Sequence, residues 1–166
     1  MRDYSEIDKL ARLDKKSALN LALDWSTSDP ENSKAWSKLA YVYEINHHFD
    51  KAVDAANTAL KLKPNYPPYL FKRGSVQFRA GNTNDAVVSF KQCVKSSMQL
   101  GDGYYLDSAK VAQAYCMYKI GKYADAAKVI KPLKHDAGVW LGERLTAEKV
   151  MELISKKLRK PNVPSF

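Results

Sequence analysis

Residues 43–52 read YEINHHFDKA, which sets His47 and His48 beside Asp50, with Glu44 one helical turn upstream. Imidazole and carboxylate are the groups that ligate divalent metals and relay protons near neutral pH. Adjacent side chains at a helix end diverge, however, whereas a zinc site gathers usually three or four convergent donors. The third histidine, His135, falls in a separate polar turn. The motif reads as a solvated turn, and no metal is expected. The sequence also lacks a G-x-S-x-G elbow, an H-E-x-x-H helix and a phosphate-cradling glycine loop. GDGYY at 101–105 has two glycines but no preceding strand of the kind phosphate loops use. With no nucleophile, base and orienting group in sight, the chain is expected to be neither an enzyme nor the holder of a cofactor.

Cys93 and Cys116 sit among apolar residues in helical patterns and read as buried free thiols rather than a disulfide framework. That favours a reducing compartment. The opening stretch MRDYSEIDKLARLDKK has no apolar secretory core, so a cytoplasmic location is expected. No apolar run reaches the roughly 18 residues needed to cross a bilayer, so membrane insertion is not expected. At 166 residues, 45% hydrophobic and 27% charged, the chain suffices for one domain with a buried core. Its formal net charge of +9 is unevenly spread. Residues 61–100 carry Lys61, Lys63, Lys72, Arg73, Arg79, Lys91 and Lys95 against Asp85 alone, while residues 1–60 are slightly acidic. Such a field attracts acidic partners.

The elements that must position these groups form a repeat. YEINHHFDKA (43–52), QFRAGNTNDA (77–86) and MYKIGKYADA (117–126) each end a helical pattern, make a polar turn and resume with Lys or Asp followed by alanine. The first two are offset by 34 residues and the second pair by 40. His47 takes the place of Gly81 and Gly121, just past a helix end. A left-handed backbone is often required there; glycine adopts it freely, and Asn or His tolerate it better than most residues. In residues 33–66, Trp36, Leu39, Ala40 and Tyr43 recur at helical spacing before the turn, and Ala52, Ala56, Ala59 and Pro64 after it. That is one amphipathic helix, a turn, a second such helix and a proline stop.

This unit resembles the tetratricopeptide repeat, with its W-x2-L-G-x2-Y opening and later A, A and P positions. Ala40 replaces the family's glycine, and Ala56 stands at an aromatic place. A second unit spans 67–100 with Leu70, Gly74, Gly81, Ala86 and Phe90 in register. A third spans 107–140 with Ala114, Gly121 and Ala126, displaced by the inserted GDGYYL. Residues 15–30 look like the second half of a unit, and 139–160 have the spacing of a long capping helix before a tail at 161–166. The resemblance implies an all-α, right-handed α-solenoid forming a single domain over 1–160, because one helix pair cannot bury its apolar face alone.

It also implies a concave groove lined by the first helix of each unit. The family's groove places fall on Lys34, Ser37, Tyr41, Glu44 and Ile45, on Pro68, Phe71, Ser75, Phe78 and Arg79, and on Ser108, Val111, Tyr115, Tyr118 and Lys119. Aromatic rings beside Lys34, Arg79 and Lys119 suit a protein partner presenting an extended or helical segment with apolar anchors and acidic groups. The places at which relatives clamp chaperone carboxylates hold Ser37, Tyr41, Lys72, Ser108 and Ala112, of which only Lys72 has suitable chemistry. Tyr104 and Tyr105 in the insertion are expected either to form a contact loop or to tuck under the next helix. Two alternatives differ in kind: nucleic-acid binding through the basic central repeat, and self-association through an unpaired apolar edge at Leu21 and Trp25.

Overall fold

A computed structural model of the chain describes residues 3–159; the expected tail at 161–166 lies outside them. The helices run in order as α1 (Ser5–Leu13), α2 (Lys15–Ser28), α3 (Ser33–Ile45), α4 (Phe49–Leu62), α5 (Pro67–Arg79), α6 (Thr83–Leu100), α7 (Gly103–Lys119) and α8 (Tyr123–Ile130). A hairpin of β1 (Gly138–Trp140) and β2 (Arg144–Thr146) follows, and then α9 (Ala147–Leu158). Starts and stops follow local chemistry. Asp14, Asn32 and Asp102 each accept two backbone N–H bonds at the first turn of α2, α3 and α7. Pro67 opens α5, where its missing N–H has no helical partner to lose. His47 has φ +61°, matching Gly81 at +86° and Gly121 at +81°, so all three inter-helix turns use the left-handed backbone that their alignment implies.

Consecutive helices pack as antiparallel neighbours, and each pair leans on the next, giving a solenoid. Small residues sit where axes approach. Ala40 and Ala114 are fully buried, and a Cβ built on Gly74 would lie 2.8 Å from the ring of Phe90, itself fully buried. The core divides into three clusters. One joins α1 to α4 around Ile7, Ala22, Trp25 and Val42, one holds Leu60, Leu70 and Cys93, and one joins α6 to α9 around Phe90, Val111, Leu145 and Ile154. Trp36 packs against the first two clusters, and Phe71 against the last two.

Four features differ from the sequence reading. The leading half-unit at 15–30 is a complete pair, because α1 precedes it. Ile7 and Ala11 of α1 are buried, and Tyr4 meets Trp25 edge-on at 5.1 Å, leaving Trp25 only 7% exposed. Of the apolar edge invoked for self-association, Trp25 is therefore covered by the chain itself, while Leu21 stays partly exposed. The insertion lengthens helices: α6 runs to Leu100, Gly101 turns with φ +67°, and α7 starts at Gly103, ahead of residue 107. The second helix of the third repeat is cut to eight residues, ending at Ile130 two residues before Pro132, which has no N–H with which to continue the helical ladder. Finally, residues 139–146 of the expected 139–160 helix belong to the hairpin, and among the described residues of that stretch only 147–158 are helical. Val139, Leu141 and Leu145 point inward while Trp140 and Arg144 are exposed, an alternation with the period of a strand. Gly142, with φ +84°, makes the turn of the three-residue loop.

Two glycine substitutions separate backbone from packing. Gly81→Ala meets no atom within 4 Å and should cost about 1 kcal/mol through its left-handed backbone alone. Gly74→Ala should cost about 1–3 kcal/mol despite better helix propensity, because Phe90 has nowhere to move. Urea denaturation of both variants measures this; a Gly74→Ala protein as stable as the parent would remove the close approach as a constraint.

Candidate functional site

The first helices of successive pairs adjoin, α3 against α5 and α5 against α7, so their shared face is continuous. At its centre lies Glu44, near the end of α3, whose side chain is 6% exposed. Its two oxygens accept from α5: Lys72 Nζ at 2.9 Å on one, and Arg79 Nη1 at 3.1 Å on the other. Ser75 Oγ reaches the same carboxylate at a long 3.4 Å. A carboxylate this buried needs such partners, since its desolvation is otherwise uncompensated. Both cations also lie over rings, Lys72 Nζ at 5.1 Å from the Tyr41 centroid and the Arg79 guanidinium at 5.4 Å from that of Phe49. Glu44 thus closes one joint of the solenoid and holds two of the face's cations.

Toward the C-terminal end the face becomes a row of rings. Phe78 meets Tyr115 at 5.8 Å, Tyr115 stacks on Tyr118 at 6.2 Å, and Tyr118 meets Tyr123 of α8 at 5.7 Å. Lys119 stands exposed with its Nζ 5.9 Å from the Tyr115 centroid. The hairpin covers the far part of α7. Ser108 Oγ donates to the Gly138 carbonyl at 3.0 Å, and Val111 is fully buried in the cluster that contains Val139 and Leu145. The Tyr115 hydroxyl approaches Glu143 of the hairpin loop at 3.4 Å. Burial, and then the Glu143 charge, push the Tyr115 pKa up, while Lys149, 2.7 Å from Glu143, holds that carboxylate below its ordinary value. At the other end α1 flanks α3: Lys38 pairs with Asp8 at 2.6 Å, and Lys34 Nζ lies 4.5 Å from the Tyr4 ring centroid.

The expected groove residues therefore divide. Lys34 and Lys119 are exposed, and Ser37, Tyr41, Phe78, Arg79 and Tyr118 are partly so. Val111 is inaccessible, and Ser75 and Tyr115 are all but buried, because the hairpin and the α3–α5 joint occupy the space a visitor would need. Phe71 turns into the packing, 5.4 Å from Phe90 and 5.5 Å from Tyr105. Tyr105 is thus tucked under the helices, whereas Tyr104 is 79% exposed. His47 and His48 are exposed and make surface ring contacts: His48 stacks on Tyr43 at 6.1 Å, and His47 meets Phe49 edge-on at 5.7 Å. Among the described residues no group of three or more metal-ligating side chains converges. Sequence reasoning misses Glu143 and Trp140, the latter 70% exposed, because the spacing around them reads as helix. Gly138 and Gly142, which interrupt the helical pattern, are the signal that could have found them.

Residues 33–66, α3 and α4 with their turns, match the tetratricopeptide repeat family profile. Solved structures add the rest of the chain. It superposes on PilW, a widely conserved type IV pilus biogenesis factor, with TM-score 0.64 and 23% identity, over 77% of this chain and 57% of that one. MamA gives TM-score 0.65 and 16% identity over 95% of this chain and 82% of that one. TTC0263, a thermophilic TPR protein of Thermus thermophilus, gives 0.59 and 19% over 79% and 72%. The fold is a tetratricopeptide-repeat solenoid. No curated protein sequence matches the chain. Because the chain spans 57% of the length of PilW, what that whole protein does is not carried over to this one. Among the described residues of this tetratricopeptide solenoid, no helix is long and apolar enough to cross a membrane.

Glu44→Ala should destabilise the solenoid by about 2 kcal/mol, less than the usual loss on breaking a buried pair, because Lys72 and Arg79 can rehydrate. Glu44→Gln, which keeps the shape and can still accept from Arg79, should lose less; thermal melts order the three proteins, and equal melting of Glu44→Ala and the parent would remove the joint from the account. Both cysteines are fully buried, and burial pushes the Cys93 thiol up to about 11 and the Cys116 thiol to about 12. A thiol-disulfide reagent at pH 8 should therefore label neither in the native protein and both after denaturation.

Proposed function

We propose that this chain is a non-catalytic scaffold that holds an extended or helical segment of another protein along the open part of its first-helix face. The observation that carries the reading is the set of partly exposed rings Tyr41, Phe78 and Tyr118 between Lys34 and Lys119, on the face that the tetratricopeptide solenoid presents between α1 and the hairpin. Apolar anchors of the segment would rest on the rings, and its acidic groups would meet Lys34 and Lys119, which form no ion pair among the described residues. Lys72 and Arg79 contribute less to this recognition, since Glu44 already holds them. Rings held by their neighbours bring contact area at low entropic cost, which is how a few residues dominate an interface.

The test is a selection of peptides from a random library, followed by affinity measurement of a selected acidic-aromatic peptide. Tyr41→Ala and Tyr118→Ala should each weaken it about tenfold or more while leaving the helical circular dichroism unchanged. Phe71→Ala should instead lower stability. Affinities indifferent to Tyr41 and Tyr118, or no enriched peptide at all, would sink the assignment of this face.

A further inference from the structure

Once Lys72 and Arg79 are held by Glu44, five of the seven basic residues between 61 and 100 remain without an ion pair among the described residues. Their disposition is not that of a scattered solvated face. Two adjoining cavities, of about 430 and 520 Å³, open on the side of the solenoid formed by the second helices α4 and α6, and they share Leu60 and Arg73. Lys95 and Gln92 of α6 line the first, with Asn65 from the α4–α5 turn, and Lys61 of α4 lines the second. Asp54 is the one carboxylate among the lining residues of either.

Arg73 sits between the cavities in a fixed pose. Its Nε donates to Ser89 Oγ at 2.9 Å and its Nη2 to Gln92 Oε1 at 2.5 Å, and Ser89 Oγ donates on to Gln77 Oε1 at 2.6 Å. Every acceptor in this relay is neutral, so the guanidinium is positioned without being neutralised. Burial lowers its pKa from the ordinary value, opposed only by the charge of Asp85. A planar guanidinium held in place beside two lysines and neutral amide groups, in a recess of small-molecule size, matches the geometry and charge of a phosphate group.

We propose that this recess around Arg73, Lys61 and Lys95 is a second binding site, distinct from the first-helix face, that takes a phosphate-class oxyanion, free or as the ester of a small molecule or lipid headgroup. The recessed position of the guanidinium favours a single compact anion over a nucleic-acid backbone, which tracks an extended row of exposed cations.

The experiment is calorimetric titration of inorganic pyrophosphate into the chain at low ionic strength, with Lys61→Gln, Lys95→Gln and Lys122→Gln, the last an exposed lysine beside α8. One saturable site is expected, weakened about threefold by either of the first two substitutions and about tenfold by both together, and unchanged by Lys122→Gln. Arg73→Gln, confirmed as folded by circular dichroism, should abolish the heat. In a parallel arm, sedimentation with phosphatidate vesicles that pyrophosphate reverses would identify a headgroup as the source, and the absence of sedimentation a soluble phosphate. Absence of saturation overturns the proposal. So does equal loss in Lys122→Gln, and so does retention of a duplex oligonucleotide by a chain that takes up no pyrophosphate. None of these readouts involves Tyr41 or Tyr118, so failure here leaves the peptide-binding reading standing, and the reverse.

Discussion

An amphipathic helix pair whose apolar stripes are wider than their mutual contact cannot satisfy itself, and every larger feature of this molecule follows from that need for a neighbour. Inside the array the need is met by repetition, with Ala40, Gly74 and Ala114 allowing close approach and Phe90 filling the space beside Gly74. At the ends repetition fails and other devices take over. The first pair is closed by the nine-residue α1, which inserts Ile7 and Ala11 and brings Tyr4 against Trp25. The last pair, with its eight-residue α8, is closed by a hairpin that lays Val139 and Leu145 over α7, and by α9 against α8. The closing elements also define where the open face begins and stops, so the proposed interaction surface is a by-product of how the ends are sealed.

Electrostatics divides the molecule along the same lines. A single carboxylate, Glu44, gathers Lys72 and Arg79 at the α3–α5 joint and removes them from the positive surplus of the middle repeat. What remains of that surplus belongs to α4, α6 and the outer side of α5. The charge count along the chain correctly locates the surplus in sequence, but not the face it belongs to, because pairing partners come from a different repeat, 28 and 35 residues away.

The repeat itself is legible because its signals are local. Trp36, Leu39, Ala40 and Tyr43 at helical spacing, Pro64 and Pro67 as punctuation, and the equivalence of His47 with Gly81 and Gly121 all act within a turn or two of chain. The errors arise where local pattern gives way to tertiary demand. Residues 139–145 read as helix because apolar residues continue at helical spacing into 150–154, yet burial follows the strand period and Gly138 and Gly142 interrupt the helix. Ile7, Leu10 and Ala11 recur at helical spacing in α1, but its nine residues give few periods to read. For the groove, family places identify which residues share a face but not which remain open. Val111 and Tyr115 are closed off by a hairpin some 25–30 residues downstream, and Phe71 turns toward Phe90.

The partition of the interior into three apolar clusters has a thermodynamic meaning of its own. Among the described partly buried hydrophobic residues, two rings, Trp36 and Phe71, pack against more than one cluster. In a linear array the sharpness of melting depends on how strongly adjoining units share free energy. Those two rings therefore act as couplers. While both are in place the array tends to melt as one body, and without either it divides at that point into segments that lose their order at separate temperatures.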